Sequence, residues 1–254
     1  MDNLKKYNRF FAFGCSMTAY HWPTWADAIA CEIPESYNYG KSGGGNMFIA
    51  CQVSEANIRH KFTKDDLVMI MWSGVSREDR YIKNSWLTPG NIYTQNYYNQ
   101  DFIDKFADSK GFMVRDLNMI ALTKGLLEST GTTYHMLSMA PLVHLQSADT
   151  EEITGVDELL EMYAPILNSI LPDILTAELN GRWPQHPIRN PVPGGQTADY
   201  HPSPRNHFDY LNKLFPKLQW SSSTLNFITH HQKIVEDARL ISDLVYATPL
   251  PKRV

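Results

Sequence analysis

Cysteine is scarce in this chain of 254 residues: Cys15, Cys31 and Cys51 are the only three. So few, and an odd number, exclude a disulfide framework, and their apolar surroundings mark them as small core residues. Histidine is less rare, at nine. No Cys/His pair has zinc spacing, however, and the adjacent His230 and His231 would diverge on a helix, so no metal is expected. Long apolar runs are missing as well, and no membrane-spanning segment is expected. The first residues, MDNLKKYNRFFAFGCS, carry basic side chains and then a short apolar stretch at 10–13. That is shorter than a signal-peptide core and has no small-residue cleavage site, so a reduced, cytoplasmic location is expected. Neither sign of charge dominates: 23 Lys and Arg against 27 Asp and Glu give −4. Without a basic field, binding to nucleic-acid backbones is not expected. Internal repeats, low-complexity tracts and linkers are also lacking.

What is present is ordinary globular composition, 43% hydrophobic and 20% charged, in a length that α/β folds often fill as one domain. Residues 9–14 (RFFAFG) read as a buried strand running into a tight turn. Beyond Pro23, Trp25, Ala28 and Ile29 recur at helical spacing. Residues 37–46 (YNYGKSGGGN) form a glycine-rich loop, and Asn46 is placed to cap a helix carrying Phe48, Ile49, Val53 and Ile58. Residues 67–72 (LVMIMW) are a continuous apolar run, the pattern of a central parallel strand covered on both faces. The segment 80–113 is irregular and aromatic and reads as an insertion. Residues 114–129 and 157–179 suggest helices, and 132–140 another strand. A loop with six prolines spans 181–204, and helices at 205–218 and 224–246 close the chain. Strand–helix alternation of this kind predicts one domain, a three-layer α/β/α sandwich around a mostly parallel, flavodoxin-like sheet.

In such sheets ligands sit beyond the carboxyl ends of the strands. The unusual segments fall there: Gly14-Cys15-Ser16 after the first strand, the glycine loop at 40–46, and residues 73–77 after LVMIMW. A fourth, Asp199-Tyr200-His201-Pro202-Ser203-Pro204, follows the proline loop. A serine exposed at a strand-to-helix turn can act as a nucleophile when a histidine beside a carboxylate takes its proton. Cys15 is an alternative nucleophile, since a thiol near a helix N-terminus is activated.

These segments resemble, in order, the blocks of the SGNH (GDSL-like) hydrolase family. FAFGCSMT is similar to the first block, with Ser16 at the nucleophile and Cys15 in place of the usual aspartate. NYGKSG is similar to the second, whose last glycine, Gly43 here, gives a backbone N–H to the oxyanion hole. DYHPSPRNH is similar to the fifth, which puts the base at His201 and its carboxylate partner at Asp199. Two departures stand out. The third block normally offers an asparagine side chain to the oxyanion; here Ser76 holds that place, and Ser73, Ser76 or Arg77 could supply the donor. The fifth block has one residue between Asp199 and His201 where the family usually has two. In an extended segment, residues two apart share a face, which permits the pairing.

The resemblance implies a serine esterase with catalytic Ser16, Asp199 and His201. Its oxyanion hole would comprise Ser16, Gly43 and Ser76, and Asn46, Ser73 and Arg77 would border the substrate. No cofactor is implied. The substrate would be a small ester or an acylated carbohydrate, such as a sugar O-acetyl group, with the aromatic insertion as the stacking surface. A non-catalytic module of the same fold that binds a glycan or a protein, and an acyltransferase using the same residues, are the alternatives. Trp72-Ser73-Gly74 together with the DxHPSP block also resembles proteins encoded by tailed phages. Nothing in the pattern sets the oligomeric state.

Overall fold

The computed structural model describes residues 1, 3–94, 97–142, 156–192 and 195–244. Its elements are β1 (Arg9–Phe13), α1 (Trp25–Ala30), β2 (Glu35–Asn38), α2 (Asn46–His60), β3 (Asp66–Trp72), β4 (Arg80–Ile82) and β5 (Ser85–Leu87). There follow α3 (Gln100–Phe106), α4 (Ser109–Thr130), β6 (Thr133–Ser138), α5 (Val156–Leu167) and α6 (Ile174–Ala177). The chain continues through β7 (His186–Val192), β8 (Gly195–Asp199), α7 (Pro204–Leu214) and α8 (Ser222–Asp237) to a 3₁₀ turn at Ile241–Asp243.

Among the described residues, the central sheet has four strands in the order β2-β1-β3-β6, all parallel. Side chains on a strand alternate between faces, and here they separate two cores. Phe10, Ala12, Leu67, Met69, Met71 and Leu137 pack with Trp25 and Ile29 of α1, Phe208 and Leu211 of α7 and Ile228 of α8. Phe11, Phe13, Val68, Ile70, Trp72 and Met136 pack with Ile49 and Val53 of α2 and Ile120 and Leu127 of α4. Helices thus cover both faces, which is why β3 is apolar from Leu67 through Trp72. At the amino edge, Arg9 and Asp66 are register partners and form an ion pair at 2.7 Å, which fixes β1 against β3. Since β2 lies on one side of β1 and β3 on the other, the β1/β3 carboxyl edge is the topological switch point where such folds bind ligands. No helix among the described residues is long and apolar enough to cross a membrane.

Several local expectations need correction. Residues 35–38 form the edge strand β2, so the glycine loop starts later than its composition suggests. Part of the proline-rich segment pairs as the antiparallel hairpin β7–β8, with an irregularity between His186 and Arg189. The aromatic segment contains the hairpin β4–β5 and helix α3, and its last residues belong to α4. The last helix ends at Asp237, and residues 245–246 of the range expected for it lie outside the described residues. Of the cysteines, Cys15 is buried, but Cys51 is half-buried and Cys31 exposed, because α1 ends just before Cys31.

Candidate active site

Ser16 lies three residues beyond β1 in a tight turn, where the Cys15 carbonyl accepts from the backbone N–H groups of Thr18 (3.0 Å) and Ala19 (3.2 Å). Two side chains, Thr24 Oγ1 and Asn38 Nδ2, donate to the Thr18 carbonyl at 2.8 Å each, tying the turn to α1 and to β2. Gly14 enters the turn because a Cβ there would lie 2.0 Å from Thr18 Oγ1. Ser16 is only 8% exposed, more enclosed than a turn serine is expected to be. Cys15 points the other way, into the core, with Sγ 3.8 Å from Met139 Sδ, which removes it as a competing nucleophile.

The segment between β8 and α7 brings the second group. His201 Nε2 is 2.9 Å from Ser16 Oγ, and His201 Nδ1 is 3.1 Å from Asp199 Oδ1. The same Oδ1 accepts the His201 backbone N–H at 2.9 Å, a local turn that the Asp-x-His spacing allows. In the tautomer whose Nδ1–H donates to the carboxylate, Nε2 is the nitrogen that faces the Ser16 hydroxyl as acceptor. Asp199 is buried. Burial raises its pKa, but hydrogen bonds from His201 and Tyr20 outweigh that and hold it at about 2. The segment is anchored at two adjacent carbonyls. His186 Nε2 donates to the His201 carbonyl at 2.7 Å, and Trp22 Nε1 to the Pro202 carbonyl at 2.8 Å. Ser203 then caps α7 in a reciprocal box with Asn206.

Tyr20 is a member of this cluster that sequence reasoning missed. Its hydroxyl donates to Asp199 Oδ2, and its ring stacks on the His201 ring with centroids 3.7 Å apart and planes 19° apart. The signal available was its place just beyond the Ser16 turn, four residues after Ser16.

The glycine loop is fastened beside the turn by Lys41 N–H donating to the Gly14 carbonyl at 3.1 Å. Gly43 has φ +75, and a Cβ there would sit 2.1 Å from the Thr88 carbonyl oxygen, so only glycine fits. Among the described residues, the backbone N–H groups of Ser16 and Gly43 have no acceptor, which leaves both free to receive an anion.

The remaining sequence candidates divide. Asn46 is the first residue of α2 rather than its cap, and it is buried. Its amide binds both backbone groups of Ser73, at 2.8 and 3.0 Å, and donates to Asp116 Oδ2 at 2.9 Å. Asn46 and Ser73 therefore join α2, β3 and α4, and neither offers a group to a substrate. Ser76 is sealed in, with φ +66 and a hydroxyl that has no partner among the described residues, so its side chain does not reach an oxyanion from this position. Arg77 stays half-exposed, donating to the Gly44 carbonyl at 3.0 Å, with Nη2 3.6 Å from Met139 Sδ. Of the three third-block candidates, Arg77 alone keeps an accessible donor. The cap of α2 comes from elsewhere: Asp79 accepts the N–H groups of Gly45 (2.9 Å) and Phe48 (3.0 Å). The available signal was a glycine before the helix, which leaves the first N–H groups needing an outside acceptor. Among the described residues no cluster of His, Cys, Asp or Glu is arranged to hold a metal ion.

No protein-family profile matches the chain. No curated protein matches it. Among solved structures it is similar to a GDSL-like lipase from Bacteroides thetaiotaomicron, at 15% identity over 83% of this chain and 86% of that one, with a TM-score of 0.41. It is similar too to a member of the lipolytic G-D-S-L family from Veillonella parvula, at 15% identity over 82% and 96%, with a TM-score of 0.41. The likeness is one of architecture. Chemistry for this chain rests on the geometry of its own residues.

Proposed function

We propose that the chain is a serine hydrolase of the SGNH type that cleaves a carboxylic ester through an acyl-enzyme. One observation carries the reading: a continuous hydrogen-bond relay from Ser16 Oγ through the His201 ring to the buried carboxylate of Asp199. Ser16 attacks the ester carbonyl as His201 Nε2 takes its proton, and Asp199 holds the resulting imidazolium. The N–H groups of Ser16 and Gly43 receive the oxyanion, with Arg77 as the side-chain donor in place of Ser76. The leaving alkoxide takes the proton from His201. Water, deprotonated by the same ring, then releases the acid and restores Ser16. Each step uses groups of this chain, with no cofactor.

Within this class, an O-acetyl group on a carbohydrate is the preferred substrate. Support comes from the hairpin β4–β5, where Tyr81 is 61% exposed and packs edge-on against Trp86 at 5.6 Å. The Trp86 carbonyl accepts from Lys41 Nζ at 2.5 Å, so this aromatic pair borders the loop that carries Gly43. Aromatic faces of this kind stack on sugar rings. A second reading, a non-catalytic module that binds a glycan, is favoured by one observation: Ser76 is sealed away from where the family's third-block donor acts. An acyltransferase would use the same residues and reveal itself by acyl transfer to added sugar. Hydrolysis of p-nitrophenyl acetate by the purified protein, lost in Ser16→Ala, is the expected result. Glycan binding without any Ser16-dependent turnover would select the module instead.

A further inference from the structure

The shortened Asp-x-His segment poses a mechanical problem that Tyr20 solves. Asp199 Oδ1 is shared between the backbone N–H and the ring Nδ1 of His201, at 2.9 and 3.1 Å. The terminal torsion of a carboxylate is a soft rotation, which a donor on the second oxygen helps to fix. Tyr20 takes the other oxygen, Oδ2, with its hydroxyl. The same side chain lies flat on the imidazole, with centroids 3.7 Å apart, so it also limits rotation of the His201 ring. Trp22 packs edge-on to Tyr20 at 4.7 Å and, through its Nε1, holds the Pro202 carbonyl at 2.8 Å. Tyr20 is itself buried and directly follows the turn that carries Ser16. One side chain therefore ties the nucleophile's own turn to both of its partners.

We propose that Tyr20 is a positioning residue that aligns Asp199 and His201 with Ser16, its hydroxyl setting the carboxylate and its ring setting the imidazole. The proposal rests on the esterase reading for its kinetic consequence, but its geometric consequence is independent of turnover. Removing the hydroxyl leaves more negative charge on Asp199 facing His201, so the imidazolium is favoured and the base is lost at a higher pH than before. Groups that also face this ring are Ser16 at Nε2, His186 through the His201 carbonyl, and buried His207 on α7, which feels the charge of His201. His21 packs edge-on to Tyr20 from the solvent side, at 4.9 Å.

The test compares Tyr20→Phe, Tyr20→Leu and the wild type by two readouts: kinetics on p-nitrophenyl acetate, and NMR titration of the His201 ring. Tyr20→Phe keeps the stack and loses the hydroxyl. We expect kcat to fall about tenfold with KM unchanged, and the acid limb of the kcat profile to move to higher pH together with the His201 titration. Tyr20→Leu loses both contacts, and its kcat falls about a hundredfold. In an Asp199→Asn background, Tyr20→Phe adds little further loss, because the hydroxyl has lost its charged partner. Fluorotyrosine at position 20 keeps the side chain's shape and makes the hydroxyl a stronger donor. It moves the His201 titration to lower pH even if the Phe variant folds poorly. A His201 titration unchanged in both Tyr20→Phe and the fluorotyrosine protein overturns the proposal, whatever the turnover. Absence of Ser16-dependent turnover in the wild type, with the titration shifts present, overturns the esterase reading and leaves the positioning role.

Discussion

His201 Nε2 stands 2.9 Å from Ser16 Oγ, although 185 residues separate the two along the chain. Neither partner is free to drift. The Ser16 turn is tied by Thr24 and Asn38 to the start of α1 and to β2, and the His201 segment by His186 and Trp22 to β7 and to the chain just beyond the Ser16 turn. The contact is thus made between two braced segments at the switch point of the sheet. Pre-organisation of this kind lets a histidine act as base without a rearrangement during the reaction.

Asp199→Asn tests the carboxylate. An amide presents the wrong group to Nδ1–H and favours the wrong imidazole tautomer, so kcat should fall by about 10⁴-fold with the fold retained. A loss of only about tenfold would mean a Ser–His dyad held by other groups. Asp199 also contributes to stability. Its folded pKa, about 2, lies below the ordinary 3.8, so the contribution is present above the ordinary value and is lost as pH falls toward about 2. Acid unfolding of Asp199→Asn, followed by circular dichroism, should lack that portion of the pH dependence.

Gly43→Ala tests the glycine loop. The added methyl must displace the Thr88 carbonyl and adopt φ +75, a conformation that costs a non-glycine residue roughly 1–3 kcal/mol. The loop should shift, removing one oxyanion donor and lowering kcat by about 100- to 1000-fold. Gly131→Ala, also at positive φ but with open space around it, is the control: its melting temperature falls while turnover stays.

What the residue pattern discloses differs between elements for physical reasons. β1 and β3 are legible because both faces of each strand are buried, which writes an unbroken apolar run. β2 is hidden because it is a short edge strand, ESYN, with only Asn38 buried. The prolines at 187 and 191 disguise the β7–β8 hairpin, since proline in a run argues against a strand. Ser16, Gly43, Asp199 and His201 can be named because their blocks stand in order along the chain, and the structure brings Ser16, Asp199 and His201 together. Asn46 and Ser73 read as substrate contacts, yet they satisfy each other between α2 and β3, a pairing that leaves no local mark. Tyr20 is marked only by its nearness to Ser16, because its carboxylate partner lies 179 residues away.

Asp116 gives a pH dependence of the opposite sign. Burial raises its pKa to about 6, against the pull of Arg115 and Asn46, so the fold disfavours its charged form. Its stabilising contribution is full below the ordinary 3.8 and is lost as pH rises through about 6. Thermal melts of the wild type should therefore decline across this window, and Asp116→Asn should flatten the decline.

The most direct measurement of the central claim is covalent trapping. A fluorophosphonate reacts with a serine whose proton a neighbouring base removes, and peptide mapping by mass spectrometry locates the adduct. The account predicts one phosphonyl group on Ser16, absent from Ser16→Ala and formed far more slowly in His201→Ala. Labelling at Cys15, or no labelling together with ester turnover that survives Ser16→Ala, would contradict it.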